Sequence, residues 1–126
     1  MDVTAKVLRI VETANTSEKV RRMMKGWNRT VRISIDNTTH EITIAEGQAT
    51  LRTNPLGKAD LSFTFNEETF DALMAEKITP FAAKIQGKIK SSGNIMDILR
   101  FASILSASIK QLRSSAIQQK GINDES

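Results

Sequence analysis

From Thr30 onward the chain repeats its apolar residues with a period of two. Val31, Ile33 and Ile35 alternate with Thr30, Arg32 and Ser34; Ile42 and Ile44 alternate with Glu41 and Thr43; Leu61, Phe63 and Phe65 alternate with Ser62 and Thr64. Successive side chains of a strand point to opposite faces, so each run has one apolar and one polar side. A sheet made of them is covered on one face and wet on the other, and the 126-residue chain has to supply the cover.

The turns set the strand order. Asp36-Asn37 and Glu46-Gly47 are tight-turn pairs, so the first two runs and the segment from Gln48 to Thr53 form an antiparallel meander. Asn54-Pro55-Leu56-Gly57 breaks the pattern and carries the chain over to a fourth strand at Leu61. A fifth strand is expected from Lys88 to Ser91, with Ile89 facing in and the lysines out.

Helices account for the rest. Val3, Val7, Leu8, Ile10, Val11 and Ala14 recur at helical spacing, and the helix stops near Asn15. Asn15 with Glu18 reads as a capping box for a second helix, whose Val20, Met23 and Met24 face inward and whose Trp27 anchors it to the sheet. Asn66 caps a third, with Glu67 and Glu68 beside its positive end and Phe70, Leu73 and Met74 on its inner face. Thr79-Pro80 starts a short fourth helix lined by Phe81, Ala82 and Ile85. The sum is an α+β domain: a five-stranded, mostly antiparallel mixed sheet with helices on one face. It spans 1–118, followed by a polar tail at 119–126.

The last helix, capped by Asn94, is the most unusual. Ile95, Ile98, Leu99, Ala102, Leu105, Ile109 and Leu112 form one stripe, while Met96, Phe101 and Ile104 fall outside it. A helix apolar nearly all round needs a second apolar surface: a ligand, a partner subunit, a membrane or another helix.

Chemistry finds little footing. There is no cysteine, the single histidine, His40, reads as a half-exposed strand residue, and the carboxylates are scattered, so neither a metal nor another cofactor is expected. No Gly-x-Ser-x-Gly, His-Glu-x-x-His or glycine-rich phosphate loop occurs. Glu67-Glu68 is a poor acid–base pair because neighbours on a helix point apart. A secretory signal, a membrane-length apolar run and a peroxisomal carboxy terminus are all missing from the sequence, so a cytoplasmic protein is expected.

Charge is uneven. Met1 to Glu76 carries 10 Lys and Arg against 11 Asp and Glu, whereas Lys77 to Lys120 carries 8 against 1, Asp97. Such a region attracts anionic headgroups or nucleic acid alike, but few aromatics are present to stack on bases and no nucleic-acid motif occurs, so a nucleic-acid partner is not expected.

Several of these residues form a pattern. Ala59-Asp60-Leu61 through Phe65, Phe70-x-x-Leu73-Met74 with Lys77, Pro80-Phe81-Ala82, and above all Gln86-Gly87-Lys88-Ile89-Lys90 with Gly93-Asn94 resemble the sterol carrier protein-2 family over Ala59 to about Leu105. Two departures stand out: Glu76 where the family often has glycine, and a longer, more apolar segment after Asn94. The resemblance implies non-catalytic binding and transfer of fatty acids, acyl-CoA, sterols or phospholipids in a hydrophobic tunnel. It also implies a lining drawn from Phe70, Leu73, Met74, Phe81 and Ile85 on the middle helices and from Ile95, Met96, Leu99, Phe101, Ile104 and Leu105 on the last. Lys84, Lys88, Lys90, Arg100 and Lys110 are the candidates for headgroup or membrane contact. The alternative is an accessory or dimerisation module in which the last helix meets a second chain.

Overall fold

The computed structural model describes residues 2–54 and 57–125, with side chains to residue 115 of the last helix. The elements are α1 (Val3–Thr16), α2 (Glu18–Met24), β1 (Arg29–Ile35), β2 (Thr38–Ala45), β3 (Gln48–Arg52), β4 (Leu61–Phe65), α3 (Glu67–Met74), α4 (Pro80–Ile85), β5 (Lys90–Ser92) and α5 (Ile95–Glu125). The five strands form one sheet in the order β3-β2-β1-β4-β5. All neighbours are antiparallel except β1 and β4, which run parallel with Val31 opposite Leu61 and Ile35 opposite Phe65. The α+β class expected from the sequence is the class observed.

A parallel pair cannot be closed by a hairpin, so its register needs other fasteners. Asp60 supplies one, accepting a hydrogen bond from the Thr30 amide at 2.7 Å while its own amide donates to the Thr30 carbonyl at 2.8 Å. At the far end the Asp36 amide donates to the Phe65 carbonyl, and the Asp36 side chain accepts from the Glu67 amide at 3.0 Å, joining the β1–β2 turn to the start of α3. The break at Asn54 to Gly57 includes Pro55 and Leu56, which lie outside the described residues.

The structure departs from the local expectations at four places. Ser17, not Asn15, caps α2, accepting from the Val20 amide at 3.3 Å, and α1 runs on to Thr16. Asn15 instead grips Ala49 of edge strand β3, accepting from its amide at 2.7 Å and donating to its carbonyl at 2.8 Å. The amide side chain thereby acts as a one-residue strand neighbour on an edge that would otherwise be unpaired. His40 is buried rather than half-exposed, because it lies two residues before Ile42 on the same face and sits opposite Ile33. Glu41, expected on the wet face, is buried too, 3.6 Å from the guanidinium of its cross-strand neighbour Arg32. The fifth strand begins at Lys90; Ile89 reaches the core from the turn before it.

The inner face of the sheet, including Val31, Ile33, Ile42, Ile44, Leu61, Phe63 and Phe65, is covered by α1, α3 and α5. Asn94 caps α5 by accepting from the amides of Met96 at 2.8 Å and Asp97 at 3.3 Å. The helix is rotated relative to the expected stripe. Ile98, Phe101, Ile104, Ser108 and Ile109 are buried, whereas Ile95 and Leu99 are exposed. Phe101 and Ile104 are therefore core residues, not surplus ones. Ser108 disguised the true stripe: its hydroxyl donates to the Ile104 carbonyl at 2.8 Å, so a polar residue sits in the core at little cost. The expected tail at 119–126 lies beyond the residues whose side chains are described.

Candidate functional site

α4 lies beside the first turns of α5 at the β4–β5 side of the sheet, and between them is a narrow crevice. Ile33, Phe63 and Phe65 form its floor; Ile98, Leu99, Phe101, Ala102 and Leu105 of α5 form one wall; Pro80, Phe81, Lys84 and Ile89 form the other. Lys84 is the one charged side chain among them. Its ammonium donates to the Ser91 hydroxyl, so the lysine stem runs along the apolar wall while its head is held at the rim. The free volume is about 20 Å³, room for a water molecule and far too little for an acyl chain.

A second void of about 20 Å³ lies under α1, walled by Ile10, Val11, Ala14, Ile42, Ile44 and, from α5, Ile104 and Ser108. Phe101 and Leu105 border both voids. The Phe101 ring packs on Phe63 with centroids 5.3 Å apart, and thereby separates the two spaces.

Only part of the expected lining comes together. Phe81, Leu99, Phe101 and Leu105 face the crevice and Ile104 faces the second void, whereas Phe70 and Leu73 are packed in the core under α3 and Met74 is half-buried beside them. Ile85, Ile95 and Met96 stand exposed outside. The short helix α4 buries Ala83 instead of Ile85 or Phe81. Reading the sequence for tunnel residues missed the floor, Ile33, Phe63 and Phe65, and also Ile89, Ile98 and Ala102. The signal was present: these strand residues share the inward parity of the sheet, and parity assigns them to whatever lies beneath the helices.

Of the basic residues, Lys88, Lys90 and Lys110 are exposed, the first two on the segment joining α4 to α5. Arg100 turns away from the crevice. Its guanidinium donates to the Met23 carbonyl at 3.0 Å and lies 5.5 Å from the Trp27 ring centroid, with Arg29 on the same ring at 5.7 Å. Asp97 accepts from both Arg29 at 2.9 Å and the Trp27 indole at 3.1 Å, and these bonds, Arg29's first, hold its carboxyl below the usual carboxylate range. This cluster is fully engaged with itself and fastens α5 to the junction of α2 and β1.

Among the described residues no three His, Cys, Asp or Glu side chains gather as a metal site would require, and no described helix is long and apolar enough to cross a membrane.

A family model described as the SCP-2 sterol transfer family matches residues 9–106. Among solved structures, the fold is similar to the sterol carrier protein domain 2 of Helicoverpa armigera, with a TM-score of 0.72 at 20% identity over 86% of this chain and 88% of that one. It is also similar to UbiJ-SCP2, a ubiquinone synthesis protein, with a TM-score of 0.62 at 18% identity over 84% and 90% of the two chains. A third similar structure is the inverting sec-alkylsulfatase Pisa1 from Pseudomonas sp., with a TM-score of 0.57 at 22% identity; 67% of this chain is covered, but only 14% of the sulfatase. No curated protein matches the sequence significantly.

Proposed function

Because the chain belongs to the SCP-2 sterol transfer family, we propose that it binds an apolar lipid non-covalently, with no chemistry of its own, in the crevice between α4, α5 and the sheet. One observation carries this reading: the crevice is walled by apolar side chains with a lone ammonium, that of Lys84, at its edge. A fatty acid or similar amphiphile fits that polarity, its chain replacing the void and its carboxylate or phosphate replacing the Ser91 hydroxyl as the partner of Lys84.

The crevice has to widen, and α4 is the part that yields. It is six residues long and fully buries only Ala83, so few buried side chains of its own hold it in place. Each methylene of an entering chain contributes roughly 0.8 kcal/mol, so a long acyl chain brings on the order of 10 kcal/mol before the costs of association.

Titration with a fluorescent fatty acid tests the reading. Saturable binding at micromolar concentration, displaced by unlabelled acyl chains and weakened by Phe81→Ala, is expected; a folded protein that shows no saturable binding overturns it.

A second reading is favoured by the sulfatase, in which a similar fold accounts for a small part of a longer chain. In that reading the domain is a non-catalytic module for another protein, or pairs with a second copy through α5. Native mass spectrometry separates the two: bound lipid on a monomer supports the container, a lipid-free dimer supports the module.

A further inference from the structure

Among the described residues six large apolar side chains are exposed, and five of them are on the two helices that flank the crevice: Phe81 (57% exposed) and Ile85 (70%) on α4, Ile95 (57%), Met96 (69%) and Leu99 (38%) on α5. The sixth, Leu8, is on α1. Phe81 and Ile85 are four residues apart on one helix, as are Ile95 and Leu99 on the other, so each pair shares a face. Phe81 and Leu99 both line the crevice, which joins the two faces into one patch. Solvent exposure of this concentration marks a surface with a partner.

Charge says which partner. The turn between α4 and β5 carries exposed Lys88, and Lys84 lines the crevice, whereas Lys90 stands opposite Thr64 on the sheet face away from the helices. The only acidic side chain from Lys77 to Arg100 is Asp97, and Arg29 and Trp27 occupy it. The patch is therefore apolar at its centre, with the ammonium groups of Lys84 and Lys88 on the α4 side. A second copy docked face to face on it would bring lysines of like sign together, whereas an anionic bilayer offers acyl chains to the centre and phosphates to the rim.

We propose that the α4–α5 face docks on anionic bilayers, Ile85, Ile95 and Met96 entering the interface while Lys88 meets headgroup phosphates. This places the crevice mouth against the lipid and so rests on the lipid-binding reading for its purpose, although docking itself is measured separately.

The test is co-sedimentation with vesicles of phosphatidylcholine alone or mixed with phosphatidylserine, at low and high salt. The protein is expected to pellet with the mixed vesicles, and several-fold less with phosphatidylcholine alone or in high salt. Ile85→Ser and Met96→Ser, both at exposed positions, are each expected to lower partitioning about fivefold or more. Lys88→Glu lowers it about fivefold or more, from about fivefold for each positive charge lost at the surface. Leu8→Ser leaves it unchanged. Equal binding to both vesicle types, insensitivity to salt, or full binding by the patch variants overturns the proposal. So does a dimer, detected by ultracentrifugation, that these variants disperse without altering vesicle binding. Fatty-acid titration without vesicles keeps the two readings apart: docking without fatty-acid binding sinks the container alone, and fatty-acid binding without docking sinks this inference alone.

Discussion

The Trp27 indole donates to Asp97 at 3.1 Å, across 70 residues of sequence, and so ties the first turn of α5 to the chain entering β1. Trp27 is buried, so its N–H has to be paired within the protein. Removing the acceptor leaves it orphaned. Asp97→Ala should therefore cost about 2 kcal/mol in denaturant unfolding, while Asp97→Asn, which keeps an acceptor, should cost roughly half as much. Equal losses for the two variants would show that the ion pair with Arg29, and not the indole bond, is what matters.

Burial lowers the pKa of His40 from its ordinary 6.5, and its Nε2 lies 2.9 Å from the Thr4 hydroxyl of α1. With the folded value depressed, the unfolded chain binds the proton more readily, so stability is fully present above about pH 6.5 and declines as the pH falls below it. His40→Gln retains a hydrogen-bonding side chain without the titration. The unfolding free energy of the wild type should drop between pH 7 and pH 5 and that of the variant should stay flat there; parallel pH profiles would rule the histidine out. Asp97, also depressed in pKa, acts in a separate and lower window, below 3.8.

Gly93 has φ +126°, and a Cβ there would lie 2.8 Å from the Asp60 carbonyl oxygen, a backbone atom fixed in the β1–β4 register. Gly93→Ala should destabilise by about 3 kcal/mol, combining backbone strain with the clash. Gly87→Ala is the control, with φ +76° but open space around it, and should cost only about 1 kcal/mol. Similar losses at both positions would show that conformation alone sets the penalty.

Phe101 and Leu99 both line the crevice, but Phe101 is buried against Phe63 and Leu99 is partly exposed. Phe101→Ala should cost about 3–5 kcal/mol in unfolding, and Phe101→Asp should unfold the protein outright. Leu99→Ala should cost under about 1 kcal/mol and act mainly on fatty-acid binding. A Phe101→Asp variant that remained folded would mean that the space around the ring admits water.

Glu76 shows how a sequence pattern acquires its physical meaning. It follows the end of α3 with φ +56°, a conformation that favours glycine. Here the side chain is used instead, bonding Arg113 of α5 at 3.1 Å, while Arg113 also donates to the Met74 carbonyl at the end of α3. The departure exchanges backbone ease for a link between two helices.

What the sequence determined by itself was whatever depends on neighbours along the chain. Period-two alternation set the strands and their inner face, Asn66, Thr79 and Asn94 set helix starts, and the turn residues set the meander, because alternation, caps and turns act over a few residues. Only the tertiary structure decided how α5 is rotated, that Asn15 serves β3 instead of capping α2, that Trp27 meets Asp97, and that the apolar residues around α4 divide into crevice wall and exposed rim. These outcomes turn on which surfaces meet across the fold. For a helix apolar nearly all round, several rotations bury similar area, and the shape of the sheet beneath, with Phe63 against Phe101, selects one.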